Sequence, residues 1–278
     1  MSIVLGVNAF AARGAAADRQ ARALAAWPDM EGVRLVNLQW ADEVHEVPHF
    51  QTLPILVSDA RAAAGVDGRR LPIVRECMDR LAGHAAAVGA HAFAYANSDV
   101  ALTRAAVELI RAGRHDAWAF SRMDVDPATG HELEVVTRGV DVVAARVDWW
   151  SAHRHRFRPY PAGEPVWDNV YAALLLAHGD SVLLNRGAWV LHERHAPGNW
   201  RASPYARYIQ YLAALDRPYF SLWAEYHAGL TGLRARGAGE DEELHLQREV
   251  FRRRPGPRAR VVQAARAAKA TVRWIVRR

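Results

Sequence analysis

The chain has 278 residues, of which 51% are hydrophobic and 24% charged, and these proportions exclude a disordered or fibrous protein. The single cysteine, Cys77, excludes a disulfide framework and a zinc site of four thiolates, so a cytoplasmic location is the default expectation. The net charge is +6, but residues 252–278 hold 10 of the 36 basic residues and no acidic residue, which leaves the rest of the chain mildly acidic. We therefore expect no nucleic-acid partner.

Short runs rich in β-branched residues alternate with alanine-rich segments, a pattern typical of an α/β protein with a mainly parallel sheet. The predicted strands are 2–8, 33–39, 90–97, 117–121, 140–145 and 181–190. Helices are predicted over 15–27, from Pro72 toward Gly89, after Thr103 and over 170–177. The sequence therefore favours helices packed against a central sheet.

The amino-acid composition changes in the last quarter of the chain. An aromatic helical region, 205–230, is followed by a polar linker, 234–241, and we divide the chain into a domain of residues 1–200 and a helical extension of residues 201–278. Within 258–278, Val261, Ala265, Ala268, Val272 and Ile275 repeat at steps of three and four, beside a stripe of arginine and lysine. This basic amphipathic helix either packs on the domain with its charged face in solvent or contacts a membrane surface.

The most informative segment is the strand predicted over 90–97, which ends in Asn97-Ser98-Asp99. Ligands of parallel α/β sheets bind outside the carboxyl ends of the strands, so Asp99 is expected where a ligand would lie. A carboxylate there suits a divalent cation that bridges the oxygens of a diphosphate. The alternative is that Ser98 or Asp99 caps a helix that begins near Leu102.

Asn97-Ser98-Asp99 resembles the aspartate motif of nucleotide-sugar glycosyltransferases of the GT-A fold, in the manner of glycosyltransferase family 2, with one acidic residue instead of two. The order of the other segments agrees over about residues 1–200: a first strand ending at Asn8, then a helix opening with 68–72, and later 163–169 leading into a helix. The resemblance implies a GT-A-like, Rossmann-like sheet flanked by helices.

The resemblance also implies an activity. It implies metal-dependent transfer of a sugar from a nucleotide-diphosphate donor to a hydroxyl of a carbohydrate or lipid-linked acceptor, with inversion, in the synthesis of a bacterial surface polysaccharide or glycolipid. The metal would be Mn²⁺ or Mg²⁺, held by Asp99 and by His192, which leaves its predicted strand directly, whereas His195 follows three residues later. Asp168 matches the general base, and the alternative for Asp168 is a helix N-cap.

Further expectations concern the two substrates. The expected donor-binding residues are Asn8, Arg13, Arg75, Asn97 and Asp99, and the expected acceptor-binding residues are Arg122, Trp167 and Trp200. The alternative for the arginines is a surface role, and for the tryptophans a place in the core. Contact through 258–278 would put the protein at the inner face of the membrane.

Two further functions stay open at this point. A metallohydrolase could use Asp99, His192 and His195, although the sequence contains no HExxH motif. A GT-A-like protein without catalysis could serve as a binding subunit.

Overall fold

The computed structural model describes residues 1–196, 202–253 and 257–276, and it confirms the predicted α/β class. The strands are β1 (Ile3–Val7), β2 (Val33–Trp40), β3 (Gln51–Leu56), β4 (Ala92–Ala96), β5 (Val100–Leu102), β6 (Ala117–Phe120), β7 (Arg122–Val125), β8 (Glu132–Val136), β9 (Val142–Arg146), β10 (Ser181–Leu184) and β11 (Val190–Glu193). The helices are α1 (Ala15–Ala25), α2 (Ala60–Ala64), α3 (Val74–Ala87), α4 (Arg104–Ala112), α5 (Val147–His153), α6 (Trp167–His178), α7 (Ala206–Leu215), α8 (Arg217–Ala235), α9 (Glu240–Phe251) and α10 (Pro257–Val276).

Seven strands form the main sheet, in the order β10-β6-β9-β4-β1-β2-β3. All neighbouring strands in it run parallel except β9, which is antiparallel to both β4 and β6. The central strands β1 and β4 are buried along their whole length, as their unbroken apolar sequences predict. The carboxyl ends of β1, β2 and β4 therefore lie at one edge of the sheet, where the Asn97-Ser98-Asp99 motif begins.

Helices cover both faces of this sheet. Side chains alternate along each strand, so Val4 and Phe93 pack on the face covered by α3, α5 and α6. Ile3 and Leu5 point to the opposite face, where α1 and α4 contribute Leu24 and Val107. Each face has its own continuous core, which fixes the positions of the strand ends.

A second sheet of four strands, in the order β5-β11-β7-β8, adjoins the edge that carries the motif. It corrects two sequence predictions. The segment 181–190 is not one strand. β10 ends at Leu184 in the main sheet, and residues 185–189 connect it to β11 in the second sheet. The motif is followed by β5 and not by a helix: α4 begins at Arg104, and Thr103 caps it through a hydrogen bond from the N–H of Ala106 to Oγ1. Capping by Ser98 or Asp99 is therefore excluded.

The helical extension packs on α6 and the end of β10. Glu243 of α9 is almost fully buried and accepts hydrogen bonds from Arg186 and Arg234 at 2.7 Å. Asn185, just after β10, donates to the hydroxyl of Tyr226 in α8. These paired polar groups make the extension continuous with the sheet, and the division at residue 200 stays a prediction. Within the described ranges, no helix combines the length and apolar character needed to cross a membrane.

Candidate active site

The second sheet brings three polar residues from distant parts of the chain together. Asp99 directly precedes β5, and His192 lies on β11 opposite Val100 of β5. On its other side His192 is opposite Asp124 of β7. A histidine that ends an apolar run is thus placed between two carboxylates that the sequence separates by 25 residues.

Three potential metal-ligating atoms converge at this point. Nε2 of His192 and Nε2 of His195 each lie 3.7 Å from Oδ2 of Asp99. The two nitrogens are 3.1 Å apart, and one ligating atom from each of the three residues falls within 4.8 Å of the others. The side chain of His192 is 5% exposed, whereas those of His195 and Asp99 are 30% and 40% exposed. The cluster is therefore anchored from inside the protein and open toward solvent.

The hydrogen bonds of the two imidazoles leave both Nε2 atoms facing the Asp99 carboxylate. Nδ1 of His192 lies 3.0 Å from Oδ1 of Asp124, and Nδ1 of His195 lies 2.9 Å from the carbonyl oxygen of Ala196. Both oxygens accept, so each ring donates through Nδ1 and, when neutral, has a lone pair on Nε2. Two such lone pairs facing a carboxylate repel one another unless a proton or a metal ion lies among them.

The charges within the cluster shift its pKa values in the directions that this arrangement predicts. Burial and Arg122 lower the pKa of His192, but the carboxylates of Asp99 and Asp124 together outweigh them, and the net pKa is raised. Burial raises the pKa of Asp99, and interaction with His192 lowers it further than burial raises it. The pKa of Asp124 is lowered in the same way by His192 and Arg122. The site therefore holds its carboxylates ionised.

The donor set fits one of the two expected metals better than the other. Two imidazole nitrogens and one carboxylate oxygen suit Mn²⁺, whereas Mg²⁺ prefers oxygen ligands throughout. The hydrogen bond from His192 to Asp124 is the kind of outer contact that fixes the tautomer of a metal-ligating histidine. Asp99, His192 and His195 could thus hold Mn²⁺, with Asp124 orienting His192.

A buried polar network extends from Asp124 along the edge of the main sheet. Arg122 donates from Nε to Asp124 at 2.9 Å and from Nη1 to Asp141 at 3.2 Å. Asp141 also accepts from Nδ2 of Asn97 at 2.7 Å. Asn97 and Arg122 therefore hold the carboxylates of the site in place, and Arg122 is occupied by two acidic partners. Their expected roles in binding donor and acceptor stay predictions.

Asp168 lies in the first turn of α6, near the far end of the network. The helix begins at Trp167 and its N-cap is Val166, so the capping alternative for Asp168 is wrong. Val166 has φ 90°, a strained backbone conformation for a β-branched residue. Oδ2 of Asp168 accepts from the N–H of Val140 at 3.5 Å, and Oδ1 is buried without a hydrogen-bonding partner among the described residues.

The surroundings of Asp168 raise the pKa of its carboxyl group. Burial raises its pKa from 3.8 to about 6, and the Asp141 carboxylate adds to the rise, while the backbone N–H groups of Asn169 and Val140 oppose it. A carboxylate with this pKa is ionised at neutral pH and binds a proton more strongly than an exposed aspartate. Asp168 can therefore remove a proton from a hydroxyl.

The loop after β1 is tied to the motif through a buried glutamine that the sequence did not indicate. Gln20 of α1 donates to the carbonyl of Phe10 at 2.8 Å and accepts from Oγ of Ser98 at 2.9 Å. Asn8 donates to the carbonyl of Leu38 at 2.6 Å, which joins the ends of β1 and β2. Arg13 lies farther along this loop and is exposed. Asn8 and Arg13 are thus at the same edge of the sheet as Asp99.

Two expected substrate contacts are corrected by the structure. Arg75 lies on the outer side of α3, donates to the carbonyl of Phe157 and lines a surface cleft with Asp79 and Arg154, so the fold does not bring it to the site. Trp167 is 2% exposed and packs edge-on against Tyr95, so no sugar ring can stack on it. Trp200 lies outside the described residues.

Arg69, which the sequence analysis did not single out, lies close to the end of β1. The guanidinium of Arg69 lies 3.8 Å above the ring of Phe10, at the end of β1, and has no hydrogen-bonding partner among the described residues. Burial lowers the pKa of Arg69, while Glu43 and Glu164 oppose the change. Glu164 accepts from Oγ of Ser203 at 2.8 Å, and burial raises its pKa. An unpaired cation and an acidic residue thus border the same edge.

Some of the missed residues carried a detectable signal. Asp124 was missed although it lies two residues after the predicted Arg122, and on a strand this spacing puts both side chains on one face. Asp141 stands between Val140 and Val142 in an otherwise apolar strand, where a charge needs a partner. In contrast, no local pattern connects Gln20 with Ser98 or distinguishes Arg69 from Arg70.

We expect Asp124→Asn to weaken Mn²⁺ binding roughly 10- to 100-fold, the effect typical of losing an outer contact to a metal-ligating histidine. The amide can present its NH₂ group to Nδ1 of His192, which disfavours the tautomer that leaves Nε2 free. Titration with Mn²⁺, followed by its paramagnetic resonance signal, measures the change. Glu134→Gln is the matched control, since Glu134 and Asp124 both contact Arg194 but only Asp124 contacts His192. Equal losses in both variants would contradict the orienting role of Asp124.

Comparison with known proteins gives matches in structure alone. No family model matches the chain, and no curated protein matches it in sequence. S. aureus TarS 1-349 in complex with UDP-GlcNAc superposes with a TM-score of 0.48 at 8% identity, covering 78% of this chain and 66% of that chain. The same TarS fragment in complex with UDP gives 0.45 at 9%, and S. aureus TarS gives 0.39 at 11%. The chain thus spans just under two thirds of the first two.

Proposed function

We propose that this protein is a metal-dependent glycosyltransferase that moves a sugar from a nucleotide-diphosphate donor to a hydroxyl of a carbohydrate or lipid-linked acceptor. The observation that carries the proposal is the pairing, at one edge of the sheet, of a cation site with a separate buried carboxylate. Asp99, His192 and His195 form the first, and Asp168, with its pKa of about 6, is the second. A leaving diphosphate needs positive charge, and an attacking hydroxyl needs a base.

We assign separate roles in donor binding to the residues around the site. Asp99 and the two histidines would hold Mn²⁺, which supplies positive charge to the diphosphate of the donor when bound. Asn8 and Arg13, on the loop after β1, would contact the nucleoside of the donor, and Arg69 would add a cation near them. Asn97 acts through Asp141, because it fixes the carboxylate that also pairs with Arg122.

Asp168 accepts the proton of the acceptor hydroxyl while that oxygen forms a bond to the anomeric carbon of the sugar. The bond from the anomeric carbon to the diphosphate oxygen breaks with its electron pair, and the nucleoside diphosphate leaves as an anion. A single displacement from the face opposite the leaving group gives inversion. The product serves the synthesis of a bacterial surface polysaccharide or glycolipid.

The first experiment is a thermal-shift screen of the full chain against UDP, GDP, CDP, dTDP and ADP, each with and without Mn²⁺. A ligand at a hundred times its Kd stabilises the folded state by about 2.7 kcal/mol. We expect one nucleotide with Mn²⁺ to raise the melting temperature more than the sum of the two separate effects. No shift with any nucleotide, in the presence or absence of metal, would overturn the proposal.

One observation favours a second candidate, a metallohydrolase. Asp99, His192 and His195 converge as the three ligands that a hydrolytic metal site needs. Such a site binds Zn²⁺ tightly without any nucleotide, whereas the transferase binds its metal better together with the diphosphate. A large shift with Zn²⁺ alone, unchanged by nucleotides, would support the hydrolase. Cooperative binding of metal and nucleotide without turnover of any nucleotide-sugar would support a binding protein without catalysis.

A further inference from the structure

The last helix packs through a different face from the one that its apolar sequence pattern predicts. The ring of Trp274 in α10 stacks on Tyr211 of α7, with centroids 5.1 Å apart, and contacts Tyr208 at 5.5 Å. Trp274 is one of the partly buried residues that pack against the main core. The contact with α7 therefore fixes which side of α10 faces the protein.

Three residues of the predicted apolar stripe, Ala265, Ala268 and Val272, lie on the other side of the helix. Each residue turns an α-helix by about 100°, so Val272 points about 200° away from Trp274. Ala265, Ala268 and Val276 fall on the same side as Val272, and all four are exposed, Val272 by 60% and Val276 by 79%. We call these four residues the outward face of α10. Packing on α7 leaves this apolar surface in solvent.

A row of cations borders the outward face. Arg266, Lys269 and Arg273 repeat at steps of three and four along α10, next to the apolar stripe, and all three are exposed. Residues 252–278 contain no acidic side chain that could neutralise them. Apolar residues and cations thus share one side of a helix whose opposite side is packed, and the three cations form no ion pair with any residue that the structure describes.

We propose that the outward face of α10 binds the surface of a membrane that contains anionic phospholipids. A helix lying in the plane of the interface buries its apolar residues at the boundary of the acyl chains and places its cations among the headgroups. Both halves of this chemistry are present on α10. A nucleic acid would pair with the cations alone and leave Val272 and Val276 exposed, so a membrane accounts for more of the surface.

Vesicle flotation with the full chain tests this inference without any sugar donor, so its result is independent of the proposed transferase activity. We expect binding to vesicles of phosphatidylcholine with phosphatidylglycerol, and much weaker binding to phosphatidylcholine alone. Val272→Glu should lower the affinity for the anionic vesicles at least tenfold, because a charge replaces an apolar contact. Val57→Glu is the matched control, since Val57 is 72% exposed and far along the chain from α10.

The cations are tested by the triple change of Arg266, Lys269 and Arg273 to Gln. Each basic residue near an anionic membrane contributes enough affinity that the triple variant should bind roughly a hundredfold more weakly. A control with the same change in net charge replaces three exposed arginines that form no ion pair with any residue the structure describes. They are Arg34, Arg104 and Arg217.

Three results would overturn the inference. The first is absence of wild-type binding to anionic vesicles at low salt. The second is an equal loss in each variant and its control, which would show a general effect of charge. The third is binding to a short DNA duplex that matches the vesicle affinity and is unaffected by Val272→Glu, which would assign the cations to nucleic acid.

Discussion

Asp99→Asn is expected to abolish the cooperative binding of Mn²⁺ and nucleotide and to lower sugar transfer roughly a thousandfold, comparable with the loss of a main electrostatic contact to a leaving group. The carboxylate is the only anionic member of the three ligating groups, and its charge balances the imidazoles that lie 3.7 Å away. An amide of the same size keeps the shape of the site but removes that charge. Calorimetric titration of metal and nucleotide measures the first loss, and release of nucleoside diphosphate measures the second.

Asp67→Asn is the control for this variant, because Asp67 is exposed and makes no ion pair with the part of the chain that the structure describes. Asp67→Asn should bind and react as the wild type does. Asp99→Asn should stay folded without metal but melt below the wild-type temperature, because the pKa of Asp99 is lowered in the folded state and its charge therefore stabilises the fold at neutral pH. Retention of Mn²⁺-dependent turnover by Asp99→Asn would exclude the proposed metal site.

Asp168→Asn is expected to lower transfer by 10²- to 10⁴-fold, the contribution typical of a general base, while donor binding stays unchanged. Because burial raises the pKa of Asp168 to about 6, wild-type turnover should rise with pH up to about that value and then level off. The variant should lose this limb of the profile. Turnover and nucleotide affinity, each measured across pH 4.5–8, separate the two effects.

The same substitution should stabilise the protein, because the folded state no longer buries a carboxylate. The pKa of Asp168 is higher in the folded than in the unfolded chain, so stability falls as pH rises from 3.8 to about 6 and is constant above that range. At neutral pH the cost reaches about 3 kcal/mol at most, and it is absent below 3.8. Urea unfolding at pH 7.5 and pH 4 should therefore show a gain for Asp168→Asn at pH 7.5 alone.

Asp67→Asn again provides the comparison, since it removes one exposed carboxylate without relieving any burial. A variant of Asp168 that kept full turnover would remove both the base and the inference of inversion. A large loss of nucleotide affinity in Asp168→Asn, together with normal stability, would instead place this residue in donor binding. The two aspartates are thus distinguished by which step each substitution affects.

The residues of the candidate site were predictable where a polar side chain comes directly after an apolar run in the sequence. The apolar run before Asn97 identified β4, and Asp99 follows that strand. The apolar run before His192 belongs to β11, but His192 lies within this strand, so the prediction that it directly leaves a strand is wrong. Asp124 was not predictable as the partner of His192. Their pairing depends on the register of β7 against β11, which is set by a sheet formed from segments about 65 residues apart.

Trp167 and Arg75 are residues that the sequence predicted as substrate contacts and the structure places elsewhere. Both stand near segments that resemble binding motifs, and a sequence does not show which side of a helix faces the core. Trp167 begins α6 with its side chain beneath the helix, against Tyr95 of β4. Arg75 follows the buried Val74 at the start of α3 and is therefore turned outward. Helix orientation depends on packing against the whole sheet, which local spacing does not specify.

The sequence by itself determined the α/β class, the main strands, the polar motif at the end of β4 and the basic amphipathic character of the last helix. These properties follow from periodicity and from residue types within short segments. The tertiary structure alone decided that His195 joins Asp99 and His192, that Arg122 links Asp124 to Asp141, and that α10 packs through Trp274 with Val272 and Val276 exposed. Each of these depends on contacts between distant segments of the chain. The free energies of such contacts cannot be inferred from a local sequence pattern.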